Sequence, residues 1–188
     1  MEVEVIIIES RSYEDIYRNI YEGKTLQEVL RIQGVCADYY EVTTKEQLAE
    51  VLQFAAEQSV KYVHVSAHGS KDGFALTKES DFIKWNDFDK LAWPHLKNKC
   101  LVFSSCDVGK GVSAIFDKHI TLCNAIVAPV REILWSEGLV AYSVFYHQVA
   151  KSHSTIENDL KLLNSITSPG TFKLIKANTS KDKPIYTL

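Results

Sequence analysis

Two short apolar runs, each closed by a chemically distinctive pair, constrain this chain more than any other feature. The first is Lys61-Tyr62-Val63-His64-Val65-Ser66-Ala67-His68-Gly69, and the second is Lys99-Cys100-Leu101-Val102-Phe103-Ser104-Ser105-Cys106-Asp107. Both are rich in β-branched and aromatic residues and bounded by polar loops, the pattern of core strands in a parallel sheet. Such sheets collect ligands and chemistry outside the carboxyl ends of their strands. His68 and Cys106, each at a strand end, can therefore face one crevice, the layout of a thiol nucleophile with its base.

The remaining sequence alternates in the same way. Val3 to Glu9 reads as a strand. Tyr13 to Ile32 is helix-like, with Gly23 a candidate interruption and Gly34 a stop signal. Ala37 to Val42 is a second strand. Thr44 to Gln58 carries an apolar stripe (Leu48, Val51, Leu52, Ala55) behind a Thr43/Thr44–Glu46/Gln47 capping box. Gly73 to Asp89 reads as an inserted hairpin, with Phe74-Ala75-Leu76 and Phe82-Ile83-Lys84-Trp85 flanking a turn through Lys78-Glu79-Ser80. Phe88 to Leu96 and Val112 to Phe116 are predicted short helices. Ala125 to Pro129 is a strand, Trp135 to Lys151 an amphipathic helix, Ile156 to Ser165 a further helix, and Phe172 to Lys176 a last, edge strand. With no repeat or linker, this order predicts one domain over 1–188: an α/β fold with a mostly parallel central sheet and helices on both faces.

Composition narrows the function classes. The formal net charge of −3 lacks the basic excess of a nucleic-acid surface. No apolar run approaches the roughly 20 residues that span a bilayer. Met1-Glu2-Val3-Glu4 is acidic and unlike a secretory signal, so a cytoplasmic protein is expected. The four cysteines, Cys36, Cys100, Cys106 and Cys123, form no CxxC pair. Cys36, Cys100 and Cys123 read as small buried hydrophobes.

Residues two apart share a strand face, so His64, Ser66 and His68 line one face, and Cys100, Val102, Ser104 and Cys106 another. His68 is the candidate base and Cys106 the candidate nucleophile. The amides of Gly69 and Cys106 offer an oxyanion hole, and glycine at 69 lets a substrate carbonyl approach the backbone. The plain alternative is a strand-end histidine and a packed thiol. A phosphatase loop is excluded, since Cys106-Asp107-Val108-Gly109-Lys110-Gly111 contains no arginine. A Walker A loop and a G-x-S-x-G elbow are absent. A zinc site from His64, His68, Cys100 and Cys106 lacks close-spaced ligand pairs. His64 reads as a satisfied core histidine, His147 and His153 as surface groups, and Trp85, Trp93 and Trp135 as core or pocket-wall aromatics.

Tyr62 to Gly69 resembles the strand-then-His-Gly motif of caspase-like (clan CD) cysteine peptidases, and Leu101 to Cys106 resembles their strand ending in Ala/Ser-Cys. Asn124 to Val130, followed by a helix like Leu139 to Val149, is similar to the bacterial CHAT branch. The resemblance implies a caspase-like three-layer sandwich in which His68 is the base, Cys106 the nucleophile, and the amides of Gly69 and Cys106 the oxyanion site. It implies cleavage of a protein substrate without metal or cofactor. It also implies regulation by a sensor protein, ligand or assembly, as in stress or antiviral responses of bacteria.

Caspases carry Gln, and metacaspases Asp, two residues before the cysteine; this chain has Ser104. Arg131 and Glu132 follow the Pro129 strand end, near where relatives of this type build the P1 pocket. Their opposite signs leave the specificity open, as does the alternative that both are solvated loop charges. Asp107 is a further candidate for substrate contact. Two rival readings remain at this point: a catalytically silent caspase-like scaffold, and a flavodoxin-like nucleotide-binding domain, against which the missing glycine-rich phosphate loop counts.

Overall fold

The apolar runs assemble as their composition demands. The computed structural model describes residues 3–57, 59–78, 82–151, 155–177 and 185–187. Its strands are β1 (Val5–Ser10), β2 (Ala37–Glu41), β3 (Tyr62–Ala67), β4 (Gly69–Ser70), β5 (Gly73–Phe74), β6 (Ile83–Lys84), β7 (Cys100–Ser104), β8 (Ala125–Pro129), β9 (Phe172–Lys176) and β10 (Ile185–Thr187). Its α-helices are α1 (Tyr13–Tyr17), α2 (Glu22–Gln33), α3 (Lys45–Glu57), α4 (Trp85–Ala92), α5 (Trp135–Lys151) and α6 (Ile156–Ile166). Val108–Lys110 and Val112–Phe116 are 3₁₀ turns.

The central sheet runs β2-β1-β3-β7-β8-β9-β10. The first five strands are mutually parallel, and β9 and β10 add an antiparallel margin. β1 and β8 are buried along their whole length, as strands covered by helices on both faces must be. One face packs on α3, α4 and the 3₁₀ turns through Ile6, Ile8, Val63, Val65, Leu101, Phe103 and Ile126. The other packs on α2, α5 and α6 through Val5, Ile7, Val102 and Val127. This is the caspase-like three-layer α/β sandwich. Strand order reverses between β1 and β3, and the crevice at such a reversal is where these sheets hold ligands.

Several boundaries differ from the sequence expectation. The 13–32 segment is two helices, and the break falls between Tyr17 and Glu22. Gly23 lies inside α2, where it lets the helix press onto β1: a Cβ there would sit 3.0 Å from Ile7 Cγ2. Ser12 caps α1 through a capping box with Asp15, which fixes a separate helix start. The inserted hairpin is a small three-stranded sheet, β4-β5-β6, and Trp85 opens α4 instead of closing a strand. Its turn residues Glu79 and Ser80 lie outside the described residues, as does His153. β9 is neither last nor an edge, because β10 pairs beyond it.

Candidate active site

Register brings the two strand ends together. β3 and β7 are direct neighbours, with Ser66 opposite Ser104. His68 and Cys106 each lie two residues further on, at the carboxyl ends of adjacent parallel strands. They line one cavity of about 220 Å³, with Ser104 and Ser105 from the β7 end, Ile133 and Leu134 from the β8–α5 loop, and Trp135 at the start of α5.

His68 is held by a residue that the motif reading did not single out. Its Nε2 lies 2.7 Å from Asp15 Oδ2. Asp15 Oδ2 also accepts from the Ser12 amide at 3.0 Å and the Ser12 hydroxyl at 2.6 Å, and Oδ1 accepts from Trp135 Nε1 at 3.3 Å. Burial pushes the Asp15 carboxyl up, but the bonds from the Ser12 side chain, His68 and the Ser12 amide outweigh it and hold the group below the ordinary aspartate value. A carboxylate only accepts, so the neutral imidazole carries its proton on Nε2 and leaves the Nδ1 lone pair free. The Trp135 ring crosses His68 edge-on, with centroids 5.2 Å apart. The His68 carbonyl accepts from the Ala75 amide, which ties the backbone to the small sheet. The sequence signal for Asp15 was the S-x-x-D capping pattern. What the pattern could not show is that the capped carboxylate reaches across β1 to the end of β3.

Cys106 is half-buried, and its thiol faces backbone. Sγ lies 3.5 Å from both the Ile133 carbonyl, to which it donates, and the Ile133 amide, from which it accepts. Among the described residues no hydrogen bond joins the thiol to His68. Cys100 and Cys123 are buried, and burial pushes the Cys100 thiol up to about 12 and the Cys123 thiol up as well, so both are inert. Gly69 is pressed against the carboxyl end of β7. A Cβ there would stand 2.7 Å from Ser105 Cβ and 2.9 Å from the Cys106 carbonyl oxygen, so any side chain would force the two strand ends apart.

Ser104 forms part of the cavity floor, and its hydroxyl donates to Glu22 Oε1 at 3.2 Å. Glu22, from the first turn of α2, is buried behind that floor, with Oε2 3.9 Å from His64 Nε2. His64 itself is buried and pairs through Nδ1 with the Tyr146 hydroxyl, while its Nε2 has no hydrogen-bond partner, so it is only half satisfied. Asp107 sits in a left-handed backbone conformation and pairs with Lys110 at 2.6 Å. Arg131 is tied to Thr171, to the Glu132 carbonyl and to Glu137. Glu132 is exposed. None of Asp107, Arg131 and Glu132 lines the cavity, which has Ile133, Leu134 and Trp135 as its outer wall. No group of metal-ligating side chains occurs among the described residues. No helix among them is long and apolar enough to cross a membrane.

No protein-family profile matches this sequence, and no curated protein matches it in sequence. Solved structures do match in fold. A secreted C11 cysteine protease from Bacteroides thetaiotaomicron, iotapain, superposes with a TM-score of 0.63 at 10% identity, covering 94% of this chain and 66% of its own. An inactive zymogen C11 protease from Parabacteroides distasonis gives 0.64 at 10% identity, covering 94% and 63%. This chain thus spans slightly under two thirds of either protease. The likeness is to C11 proteases; the CHAT resemblance rests on the sequence motif alone.

Proposed function

We propose that this chain is a cysteine peptidase that cleaves a protein substrate by acyl transfer, with Cys106 as nucleophile and His68 as base. The carrying observation is one cavity lined by a half-buried thiol and by an imidazole whose Nε2 is bonded to a buried carboxylate. Nδ1 of His68 takes the Cys106 proton, and the thiolate attacks the scissile carbonyl. The amides of Gly69 and Cys106 stabilise the oxyanion. The imidazolium, steadied by Asp15, returns the proton to the leaving amine. Water then hydrolyses the thioester with His68 again as base. Asp15 is a positioning residue that acts through His68.

On this reading the chain rests until the thiol is released. The thiol is bonded to Ile133, so the β8–α5 loop must release it before the base can act. A neighbour in fold is itself described as an inactive zymogen, and release by a partner, a ligand or self-assembly fits the same geometry. Ser104 and the walls Ile133 and Trp135 shape the P1 site.

The test is labelling with acyloxymethyl-ketone probes bearing Asp, Asn, Arg, Lys or Leu at P1. The expected result is modification at Cys106 that is lost in Cys106→Ala and strongly slowed in His68→Ala. Modification spread equally over Cys36 and Cys106, and indifferent to His68, would instead identify a silent scaffold.

A further inference from the structure

A second cavity, of about 150 Å³, lies on the other side of His68. It is lined by Arg11 and Ser12 from the β1–α1 turn, by Ser10, and by Leu76 and Thr77 from the connection between β5 and β6. It shares only the histidine with the cavity that contains the thiol. In acyl transfer the acyl portion is held beside the nucleophile, and the leaving group departs from the side of the acid that protonates it. The cavity that touches His68 without touching Cys106 is therefore placed on the leaving-group side.

Arg11, one of its lining residues, leaves one donor unused. The Ser12 hydroxyl donates to Asp15. The Thr77 hydroxyl donates to the Arg11 carbonyl at 2.7 Å, so in the Ser10–Thr77 contact at 3.2 Å the Ser10 hydroxyl is the donor. Arg11 is 6% exposed, stacks on the Tyr21 ring at 3.6 Å, and sends Nε and Nη2 to the same oxygen of Glu41. Its Nη1 is buried and has no partner. Glu41 is 37% exposed and keeps contact with water, so it offsets the buried guanidinium only in part. A buried cation with an unused N–H favours an anionic acceptor, through a charge-assisted bond. The volume is well below the several hundred Å³ of a small-molecule pocket and suits a single side chain.

Building on the peptidase reading, we infer that this cavity is a leaving-group-side subsite, in which Arg11 receives the carboxylate of a glutamate or aspartate just beyond the scissile bond. Arg11 is thus a specificity-determining residue for the departing peptide, distinct from whatever sets P1.

The experiment uses the full chain and paired peptide libraries, randomised before the scissile bond and followed by Glu-Ala or Gln-Ala. Wild type should cleave the Glu series about ten-fold better than the Gln series, the size of one charge-assisted contact. Arg11→Gln should bring the ratio near one, Arg11→Lys should restore part of it, and Glu41→Gln should raise it. The ratio is its own control, because a variant that merely loosens the site lowers both series together. A ratio near one in wild type, or one indifferent to Arg11, overturns the inference while leaving Cys106 chemistry intact. The second arm needs no catalysis. Cys106→Ala protein should bind an Ala-Glu-Ala peptide more tightly than Ala-Gln-Ala by calorimetry, and Arg11→Gln should abolish the difference. That preference persisting without any Cys106 reactivity would sink the peptidase reading and keep the subsite; its absence sinks the subsite.

Discussion

The two faces of the central sheet are built on different principles. The face under α3 and α4 is mainly apolar, with Ser10 at the carboxyl end of β1 and Asp38 on β2 at its margins, and its centre is an aromatic cluster in which Phe103 meets Phe74, Trp85 and Phe88 at centroid distances of 5.9, 5.8 and 6.1 Å. The face under α2 and α5 is apolar at the amino ends of its strands and polar toward their carboxyl ends. Register makes this a row: Glu9 on β1 stands opposite Ser66 on β3, which stands opposite Ser104 on β7. Glu9 is buried and capped by donors, the Gly23 and Lys24 amides and the Tyr39 hydroxyl, while Glu22 and His64 lie among the row's neighbours. Burial raises the Glu9 carboxyl despite those donors. One face therefore supplies the cohesion of the fold. The other spends part of its cohesion on holding a polar floor directly beneath the site, since buried polar groups add little net stability even when paired.

If that division holds, truncating the apolar face should cost most. Phe103→Ala removes a fully buried ring from the aromatic cluster and is expected to lower the unfolding free energy by about 3–5 kcal/mol. Urea denaturation measures it. A loss near 1 kcal/mol would mean that the cluster collapses around the gap and that the two faces are not so different.

How far the sequence revealed each face follows from the same contrast. The apolar face was legible, because strands such as Leu101-Val102-Phe103 and the stripe of α3 declare themselves by periodicity. The meeting of His68 and Cys106 was legible because each ends such a strand. The supports of the site were not. Asp15, Glu22 and Arg11 carry no strand-end pattern in the sequence; Asp15 meets the site through its bond to His68, Glu22 through Ser104, and Arg11 through the neighbouring cavity that His68 also lines. Arg131 failed as a candidate for the cavity for the converse reason: it lies near the site in sequence, but Thr171 and Glu137 hold its side chain elsewhere.

The middle effect falls on the bond between Asp15 and His68. If the peptidase reading holds, Asp15→Asn removes the charge that steadies the imidazolium, so kcat is expected to fall roughly 10- to 100-fold, the size of a charge-assisted bond, with KM little changed. Asp15→Glu should recover part of kcat; a purely structural cap would instead show equal losses in both and no rescue. Stability should follow pH in a defined sense. The folded Asp15 carboxyl lies below its ordinary value of 3.8, so its contribution is fully present above that value and lost as pH falls through the lower folded one. The stability gap between wild type and Asp15→Asn should therefore close in acid, and a gap independent of pH would show that the carboxylate's charge is not what holds the helix and histidine.

The smallest effect tests the polar face at its interior. Tyr142 is fully buried on α5, and its hydroxyl donates to the Phe103 carbonyl, reaching through the sheet layer to the residue that anchors the opposite face. Tyr142→Phe keeps the ring, its edge-on contact with Phe172 at 5.5 Å and nearly all of the buried area, and deletes one hydrogen bond. A carbonyl has two lone pairs, and a strand carbonyl such as that of Phe103 can keep a ladder partner when the hydroxyl is gone. The expected loss is accordingly about 1 kcal/mol, with an unchanged dependence on urea. The same variant should leave Cys106 labelling at its wild-type rate, because the bond lies one residue below the Ser104 floor and on the α5 side of it. A loss of 3 kcal/mol would place this hydroxyl among the cohesive elements and dissolve the distinction between the faces. A gain in stability would sharpen it, showing that the polar groups of this face are kept for what they position and at a cost to the fold.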